Sequence, residues 1–210
     1  MLKLSHQTLL TLFIAGFSLA ILSLIFLDNT VYGLVHPAFA SQRPLWEQIT
    51  YIGDSEWMAI ASLAAILIGL AVSRLTDNPL GPRLWRSGLF AFICVAIVGL
   101  SGSLLKNMIG RARPYLYDTE GPHSFIPFGF DPSHAAFPSG HTTTAFALTT
   151  VLVILFPRLA IPAFSLAALA GFSRMAVDAH YLGDVIGGAT YGVIGTILVG
   201  KWLAPKLKIS

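Results

Sequence analysis

The chain has 210 residues, of which 55% are hydrophobic and only 11% are charged. An ordinary soluble domain carries about 25% charged residues, so this composition excludes that class and indicates a polytopic membrane protein. The formal charge is +3, and the absence of a basic tract with interleaved aromatic residues argues against a nucleic-acid-binding protein. The single cysteine, Cys94, excludes a disulfide within the chain and is expected to be a small packing residue.

Six apolar runs follow one another along the chain, and most approach the length that crosses a bilayer as a helix. They predict an all-α fold, a single membrane domain over residues 1–210 with six transmembrane helices in a helical bundle. Glycines in the sixth run have the spacing of a closely packed helix face. The runs cover residues 8–27, 57–75, 87–105, 138–156, 159–175 and 184–203, and the glycines are Gly187, Gly188, Gly192 and Gly195.

The first run has a signal peptide as its rival interpretation, because Ala38-Phe39-Ala40 resembles a cleavage site. The apolar core is longer than the roughly 7–15 residues of a signal peptide, and the small residues follow too far beyond it. A retained transmembrane helix is therefore expected. Residues 28–56 contain several aromatic residues and are expected to lie along the membrane interface, as a short amphipathic helix or as a loop.

The distribution of charge predicts an orientation. With six spans, one side of the membrane holds both termini together with eight basic residues and a single acid, Asp77. The other side holds nine acids and five basic residues. By the positive-inside tendency, the termini are expected in the cytoplasm and the longer loops in the periplasm or outside the cell. The eight basic residues are Lys3, Arg74, Arg83, Arg86, Arg158, Lys201, Lys206 and Lys208.

Two cations stand at the end of the third run, on the outward side. Lys106 and Arg113 are seven residues apart, so a helix would project both from one face before Pro114 ends it. The plainer alternative is that each side chain simply extends its charge to the membrane interface, as lysine and arginine often do at helix ends. That alternative explains either residue alone. Arg111 would face elsewhere on such a helix. Residues 110–137, which follow, form a long connection of the kind that is often functional.

A second polar cluster, Ser139-Gly140-His141, opens the fourth run. A serine and a glycine at a helix start offer a hydroxyl and unpaired backbone N–H groups, which suit a phosphate. The histidine would point toward whatever binds there. The plainer alternative is a helix cap with an incidental histidine.

The third cluster lies between the fifth and sixth runs and contains Arg174, His180 and Asp184. On a helix, residues four apart share a face, so Asp184 can accept the imidazole N–H of His180. That contact fixes the tautomer and leaves the other ring nitrogen free to attack an electrophile. A helix cap with one ion pair is the alternative. Asp178 is expected to pair with Arg111 or Arg174 rather than to act in catalysis.

Together the clusters place three cations, two histidines, a carboxylate and a potential backbone anion site on one predicted membrane face. This set suits a phosphoryl group and its in-line transfer. No cluster of cysteine, histidine or carboxylate indicates a metal, so no metal or cofactor is expected. The eight residues are Lys106, Arg113, Ser139, Gly140, His141, Arg174, His180 and Asp184.

The spacing Lys-x6-Arg-Pro, Pro-Ser-Gly-His and Ser-Arg-x5-His-x3-Asp resembles the three signature motifs of the type-2 phosphatidic acid phosphatase family. The resemblance implies metal-independent hydrolysis of a phosphate ester or pyrophosphate through a phosphohistidine. By position it makes His180 the nucleophile, Asp184 its orienting partner and His141 the general acid. It assigns the phosphoryl oxygens to Lys106, Arg113, Ser139, Gly140 and Arg174.

The resulting hypothesis is a lipid phosphatase of a bacterial inner membrane, with the bilayer and a lipid phosphate as its partners. Candidate substrates are undecaprenyl diphosphate, phosphatidylglycerophosphate, phosphatidic acid and the 1-phosphate of lipid A, and the motifs do not choose among them. Two alternatives remain. One is a phosphotransferase that passes the phosphoryl group from lipid to lipid, and the other is a non-catalytic protein that binds or transports a lipid phosphate.

Overall fold

The computed structural model describes residues 2–209, and within them the chain is helical without any β-strand. Short 3₁₀ turns join most of the helices. In chain order the main elements are α1 (His6–Leu22), a π-helical turn (Ser23–Leu27), α2 (Asp28–Phe39), α3 (Arg43–Ile49), α4 (Ser55–Leu75), α5 (Leu80–Ile109), α6 (Tyr117–Glu120), α7 (Gly140–Leu155), α8 (Ala160–Ala176) and α9 (Leu182–Leu207).

Every predicted apolar run lies largely within a helix, and α5 extends beyond its run at both ends. Its first turn includes Pro82, which is tolerated there because the first N–H groups of a helix have no intrahelical partner. The segment between the first two runs is mostly helical, since α2 and α3 occupy it. Of the two expected forms, helix or loop, the structure shows helix in two pieces, and the position of this segment along the membrane interface stays a prediction.

Four helical stretches are long and apolar enough to cross a membrane: His6–Leu75, Leu80–Ile109, Pro157–Ala176 and Leu182–Leu207. The first contains α1 to α4. Helix α7 is apolar but has only 16 residues. Many large apolar side chains on the outer faces are exposed, Ile161 to 83% and Leu100 to 69%, as expected for surfaces that meet lipid. The chain is therefore an integral membrane protein, and the count of six spans stays a prediction.

Helices α5, α7 and α9 meet in the interior. Phe90 and Cys94 of α5 are completely buried against Val151 of α7 and Leu203 of α9, which gives Cys94 its expected packing role. The predicted glycine face of α9 packs directly on α7: a Cβ on Gly192 would lie 2.5 Å from the carbonyl oxygen of Thr143. This close contact holds the first half of α9 against the first turn of α7.

Helix α5 ends earlier than the spacing of its two cations predicted. Gly110 adopts a left-handed conformation with φ 66°, and its N–H donates to the carbonyl of Lys106. A Cβ at Gly110 would lie 1.9 Å from the carbonyl oxygen of Ile126, so no other residue fits this turn. Arg113 is in extended conformation, and the prediction that it shares a helical face with Lys106 is wrong.

Candidate active site

The end of α5, the start of α7 and the connection between α8 and α9 lie together at one end of the helices. The N–H of Ser139, just before α7, donates to the carbonyl of Asp184 in the first turn of α9 at 3.0 Å. Arg113 and Arg174 are both close enough to His141 and His180 for their positive charges to disfavour protonation of the two imidazoles. All three predicted clusters therefore converge on one site.

Lys106 reaches the first turn of α7 from the last turn of α5. Its ammonium nitrogen Nζ lies 3.0 Å from the position that a Cβ on Gly140 would occupy. Any side chain at residue 140 would have to move this cation. The glycine thus lets the lysine approach the helix start, where backbone N–H groups and the helix dipole also attract anions.

Ser139 precedes α7 and is completely buried. Its hydroxyl accepts a hydrogen bond from the Thr142 hydroxyl at 2.9 Å, and its side chain caps none of the backbone N–H groups of α7. The first N–H groups of a helix have no intrahelical acceptor. They are therefore available to the oxygens of an anion.

Arg113 and Arg174 each have a buried Nε without a hydrogen-bond partner among residues 2–209. Arg174 donates through Nη1 to the hydroxyl of Thr50, which lies in the turn between α3 and α4. A buried donor that finds no acceptor is costly, roughly 1–3 kcal/mol in typical cases. Two such donors beside Lys106 indicate a site that is built to receive an anion.

His180 lies in the connection between α8 and α9 and is 3% exposed. Its backbone N–H donates to the carbonyl of Arg174 at 3.1 Å, which ties the nucleophile candidate to a phosphate-binding candidate. Burial lowers the pKa of His180 to about 3, despite the nearby Asp184 carboxylate, so its imidazole is neutral at ordinary pH. A neutral imidazole has the free electron pair that nucleophilic attack needs.

The imidazole Nδ1 of His180 faces Asp184, and the distance to Oδ2 is 3.7 Å. This exceeds a hydrogen bond, although the two groups are oriented as the sequence predicted. Hydrogen bonds between catalytic groups are often long before substrate binds and tighten in the complex. With Nδ1 toward the carboxylate, Nε2 is the ring nitrogen that is free to react.

Two residues that the sequence predictions did not place in the site also reach it. Arg111 is completely buried and bonds the carboxylates of Asp184 and Asp28, at 2.6 and 2.8 Å. The signal for Asp28 was available, because a carboxylate that directly ends an apolar run is costly and tends to be kept for a purpose. Its partner lies 83 residues away, which spacing alone does not reveal.

The expected pairing of Asp178 is wrong. Its carboxylate contacts Nδ1 of His36 at 2.8 Å and Nη1 of Arg43 at 3.5 Å, and neither Arg111 nor Arg174 is its partner. The reason is that α2 and α3 cover this side of the connection between α8 and α9. Asp178 holds the connection in place from outside the cluster of site residues.

A cavity of about 480 Å³ opens beside the site, between α4, α5 and α7. Lys106, Gly140 and His141 stand at its polar end, and Asp54 and Glu56 line the same end. The rest of the wall is mainly apolar. Among residues 2–209, no group of three or more histidines, cysteines and carboxylates is arranged to hold a metal ion.

Comparison with known proteins identifies the family. A family model described as the PAP2 superfamily matches residues 87–208, more than half of the chain. A lipid A 1-phosphatase of Rhizobium etli is 38% identical over 74% of this chain and 71% of its own length. A second lipid A 1-phosphatase, of Rhizobium johnstonii, is 35% identical over 85% of this chain and 74% of its own length.

Two more distant matches agree with this family. The undecaprenyl-diphosphatase of Bacillus subtilis is 32% identical over 47% of this chain and 50% of its own length. The crystal structure of a transmembrane PAP2-type phosphatidylglycerolphosphate phosphatase of Bacillus subtilis superposes with a TM-score of 0.65, at 23% identity, over 96% of this chain and 97% of its own. That match shows a common fold. The chain thus belongs to the PAP2 superfamily, the type-2 phosphatidic acid phosphatases whose signature motifs its own motifs resemble.

Proposed function

We propose that this membrane lipid phosphatase removes a phosphate from a lipid by way of a phosphohistidine at His180, with the 1-phosphate of lipid A as its first candidate substrate. One observation carries the proposal: a neutral, buried histidine lies in a cluster with two arginines whose buried Nε atoms have no partner among the described residues. Such an arrangement suits the charge and the in-line geometry of phosphoryl transfer.

In the first step, Nε2 of His180 attacks the phosphorus atom and a P–N bond forms. The P–O bond to the lipid breaks, and His141 donates a proton to the departing lipid oxygen. The cations Lys106, Arg113 and Arg174, with Ser139 and the N–H of Gly140, hold the other phosphoryl oxygens. Arginine suits this role because its planar guanidinium can make two parallel bonds to a phosphate.

In the second step, water attacks the same phosphorus atom and the P–N bond breaks. His141, now neutral, accepts a proton from that water, so inorganic phosphate leaves and both histidines return to their starting states. Throughout, Asp184 faces Nδ1 of His180 and balances the positive charge that the ring acquires when Nε2 is phosphorylated.

Two features support a substrate with acyl chains. The apolar cavity next to Lys106 and His141 shares Met58 and Ser62 with a second cavity of about 890 Å³, farther along α4, α5 and α7. The two cavities are therefore adjacent, and the smaller one places mainly apolar walls next to the phosphate site. The lipid A 1-phosphatases among the relatives favour a phosphate monoester on lipid A, and the undecaprenyl-diphosphatase makes undecaprenyl diphosphate the second candidate.

The proposal includes six membrane spans, cytoplasmic termini and a site at the outer face of a bacterial inner membrane. The candidate spans, of which one stretch contains both α1 and α4, leave room for this count. The excess of basic residues on the side of the termini supports the orientation.

The test is release of free phosphate from purified protein in detergent, without an added acceptor and with EDTA present. Lipid A 1-phosphate, undecaprenyl diphosphate, phosphatidic acid and phosphatidylglycerophosphate are compared. We expect release to continue in EDTA, to be fastest with lipid A 1-phosphate, and to be lost in His180→Ala but kept in the control His6→Ala, whose histidine is exposed.

Three results would contradict the proposal. Release by His180→Ala at the wild-type rate would exclude the phosphohistidine. Loss of activity in EDTA that Mg²⁺ restores would mean that a metal replaces part of the cation cluster. Transfer of the phosphoryl group to an added lipid acceptor, without release of free phosphate, would indicate a phosphotransferase.

A further inference from the structure

A closed cluster of buried charges lies directly behind the His180 and Asp184 pair. The Arg111 side chain is completely buried between two carboxylates that are also buried, Asp28 and Asp184. Its guanidinium centre stands 4.4 Å from the centre of the Tyr181 ring. Burying three ionised groups is costly, so their placement next to a reactive histidine calls for a physical reason.

Both carboxylates use all of their oxygens. Oδ1 of Asp28 accepts hydrogen bonds from the N–H of Gly183 and the hydroxyl of Ser23, each at 2.8 Å, while Oδ2 binds Arg111. Oδ1 of Asp184 also binds Arg111, and its Oδ2 accepts the N–H of Tyr181 at 2.8 Å. Each oxygen of Asp184 therefore has a fixed direction, and Oδ2 is the one left toward His180.

We propose that Arg111 is a positioning residue, which Asp28 anchors and which holds Asp184 in the orientation that serves His180. This inference rests on the proposed function, because it concerns the same phosphohistidine site. It adds residues that no signature motif assigns to the mechanism, and Asp28 lies outside the matched residues 87–208.

The charge of the cluster agrees with this role. One arginine stands against two carboxylates, which leaves one uncompensated negative charge beside His180. The imidazole is neutral before reaction and becomes cationic once Nε2 carries the phosphoryl group. The cluster is thus electrostatically complementary to the phosphorylated state. Interactions that strengthen as charge develops are those that accelerate a reaction.

Without Arg111, the two carboxylates would face each other without a cation. Asp184 would then turn or take up a proton, and Nδ1 of His180 would lose its partner. Lysine at this position keeps the charge but cannot reach both carboxylates in the same way, because it lacks the planar fork of arginine. The loss should appear in the chemical step rather than in substrate binding.

The test measures kcat, KM and the melting temperature in detergent for Arg111→Met, Arg111→Lys and Asp28→Asn in the full-length protein. We expect kcat to fall about 10- to 100-fold, as for other partners behind a reacting group, with little change in KM. The matched controls are Arg158→Met and Asp77→Asn, which remove exposed charges at the opposite end of the helices. If kcat is unchanged in every one of these variants that folds, the proposal is overturned.

A double-mutant cycle separates positioning from a merely structural role. If Arg111 acts through Asp184, then adding Arg111→Met to Asp184→Asn should lower kcat little further, because the interaction is already lost. Losses that multiply would contradict the proposal. If Arg111→Met does not fold, the cycle is run with Arg111→Lys, and the same two outcomes support or contradict the proposal. Activity of His180→Ala would instead refute the proposed function, whatever the Arg111 variants show.

Discussion

At the scale of single residues, His180 combines two properties that sequence spacing cannot supply. It is buried, which keeps the imidazole neutral, and its backbone N–H donates to the carbonyl of Arg174, which places the residue next to one of the cations. A histidine in water would be protonated in mildly acidic solution. Burial therefore prepares the nucleophile, while the surrounding cations prepare the phosphate.

The first prediction concerns pH. Since burial lowers the pKa of His180 to about 3, its imidazole is protonated, and so inactive as a nucleophile, only below that pH. The acid limb from this group should therefore lie at the lowest pH, and the alkaline limb should mark the loss of the His141 proton. We expect a bell-shaped profile of kcat, which reports the substrate complex, because the negative charge of a bound phosphate favours the protonated form of His141 there.

The control for this profile is His141→Gln, whose residual activity should lack the alkaline limb. A wild-type profile that stays flat from about pH 4 to about pH 9 would contradict the two-histidine mechanism.

A second prediction concerns the glycine beside the lysine. Gly140→Ala places a Cβ 3.0 Å from Nζ of Lys106, so the ammonium must move away from the start of α7. Because small displacements of positioning groups are costly, we expect kcat/KM to fall by up to about 100-fold. The control is Gly33→Ala, where an added Cβ meets no atom within 4 Å. Equal activity of the two variants would show that catalysis does not need the close approach of the Lys106 ammonium to the start of α7.

The eight site residues could be named from the sequence because their motifs are short and each lies within one segment. The structure brings all eight together, and their chemical roles stay predictions. Arg111 and Asp28 were missed for a physical reason: their contact joins segments 83 residues apart, and nothing local marks the two as partners.

At the scale of helices, apolar periods predicted the main elements well and their ends less well. The end of α5 depends on the contact between Gly110 and the backbone at Ile126, which is a tertiary contact. That contact turns the chain after Ile109, and so places Arg111 behind the site and Arg113 in it. Helical periodicity, extended through this turn, gave the wrong geometry.

A third prediction concerns the packing of α9 on α7. In Gly192→Ala, the new Cβ would lie 2.5 Å from the Thr143 carbonyl oxygen, so the helices must separate. Overpacking of this kind typically costs about 1–3 kcal/mol, and we expect a lower melting temperature together with lower kcat. Gly102→Ala is the control, since its nearest neighbour would be 3.5 Å away. A melting temperature equal to that of the control would contradict this account of the contact.

At the scale of the whole molecule, the segment from α2 to the start of α4 forms one wall of the site. Asp28 binds Arg111, His36 and Arg43 hold Asp178, and Thr50 accepts a bond from Arg174. The sequence indicated only an interfacial segment here. Because these contacts are long-range and mostly polar, apolar patterning could not predict them.

A fourth prediction tests the orientation. In a Cys94→Ala background, a single cysteine is introduced either at Asp118, near the site, or at Thr76, between α4 and α5; both positions are exposed. A thiol reagent that cannot cross membranes should label intact spheroplasts at residue 118 only. Labelling at residue 76 alone would show that the protein has the opposite orientation in the membrane.

In the proposed mechanism, the imidazole of His180 carries the phosphoryl group between lipid and water. The most direct measurement is rapid alkaline quenching of the protein with a lipid whose phosphate is ³²P-labelled, followed by peptide mapping. We expect label on the peptide that contains His180. This label should be stable to alkali, released by acid and absent in His180→Ala. Label on a serine or aspartate, or turnover with no labelled protein at any time point, would contradict it.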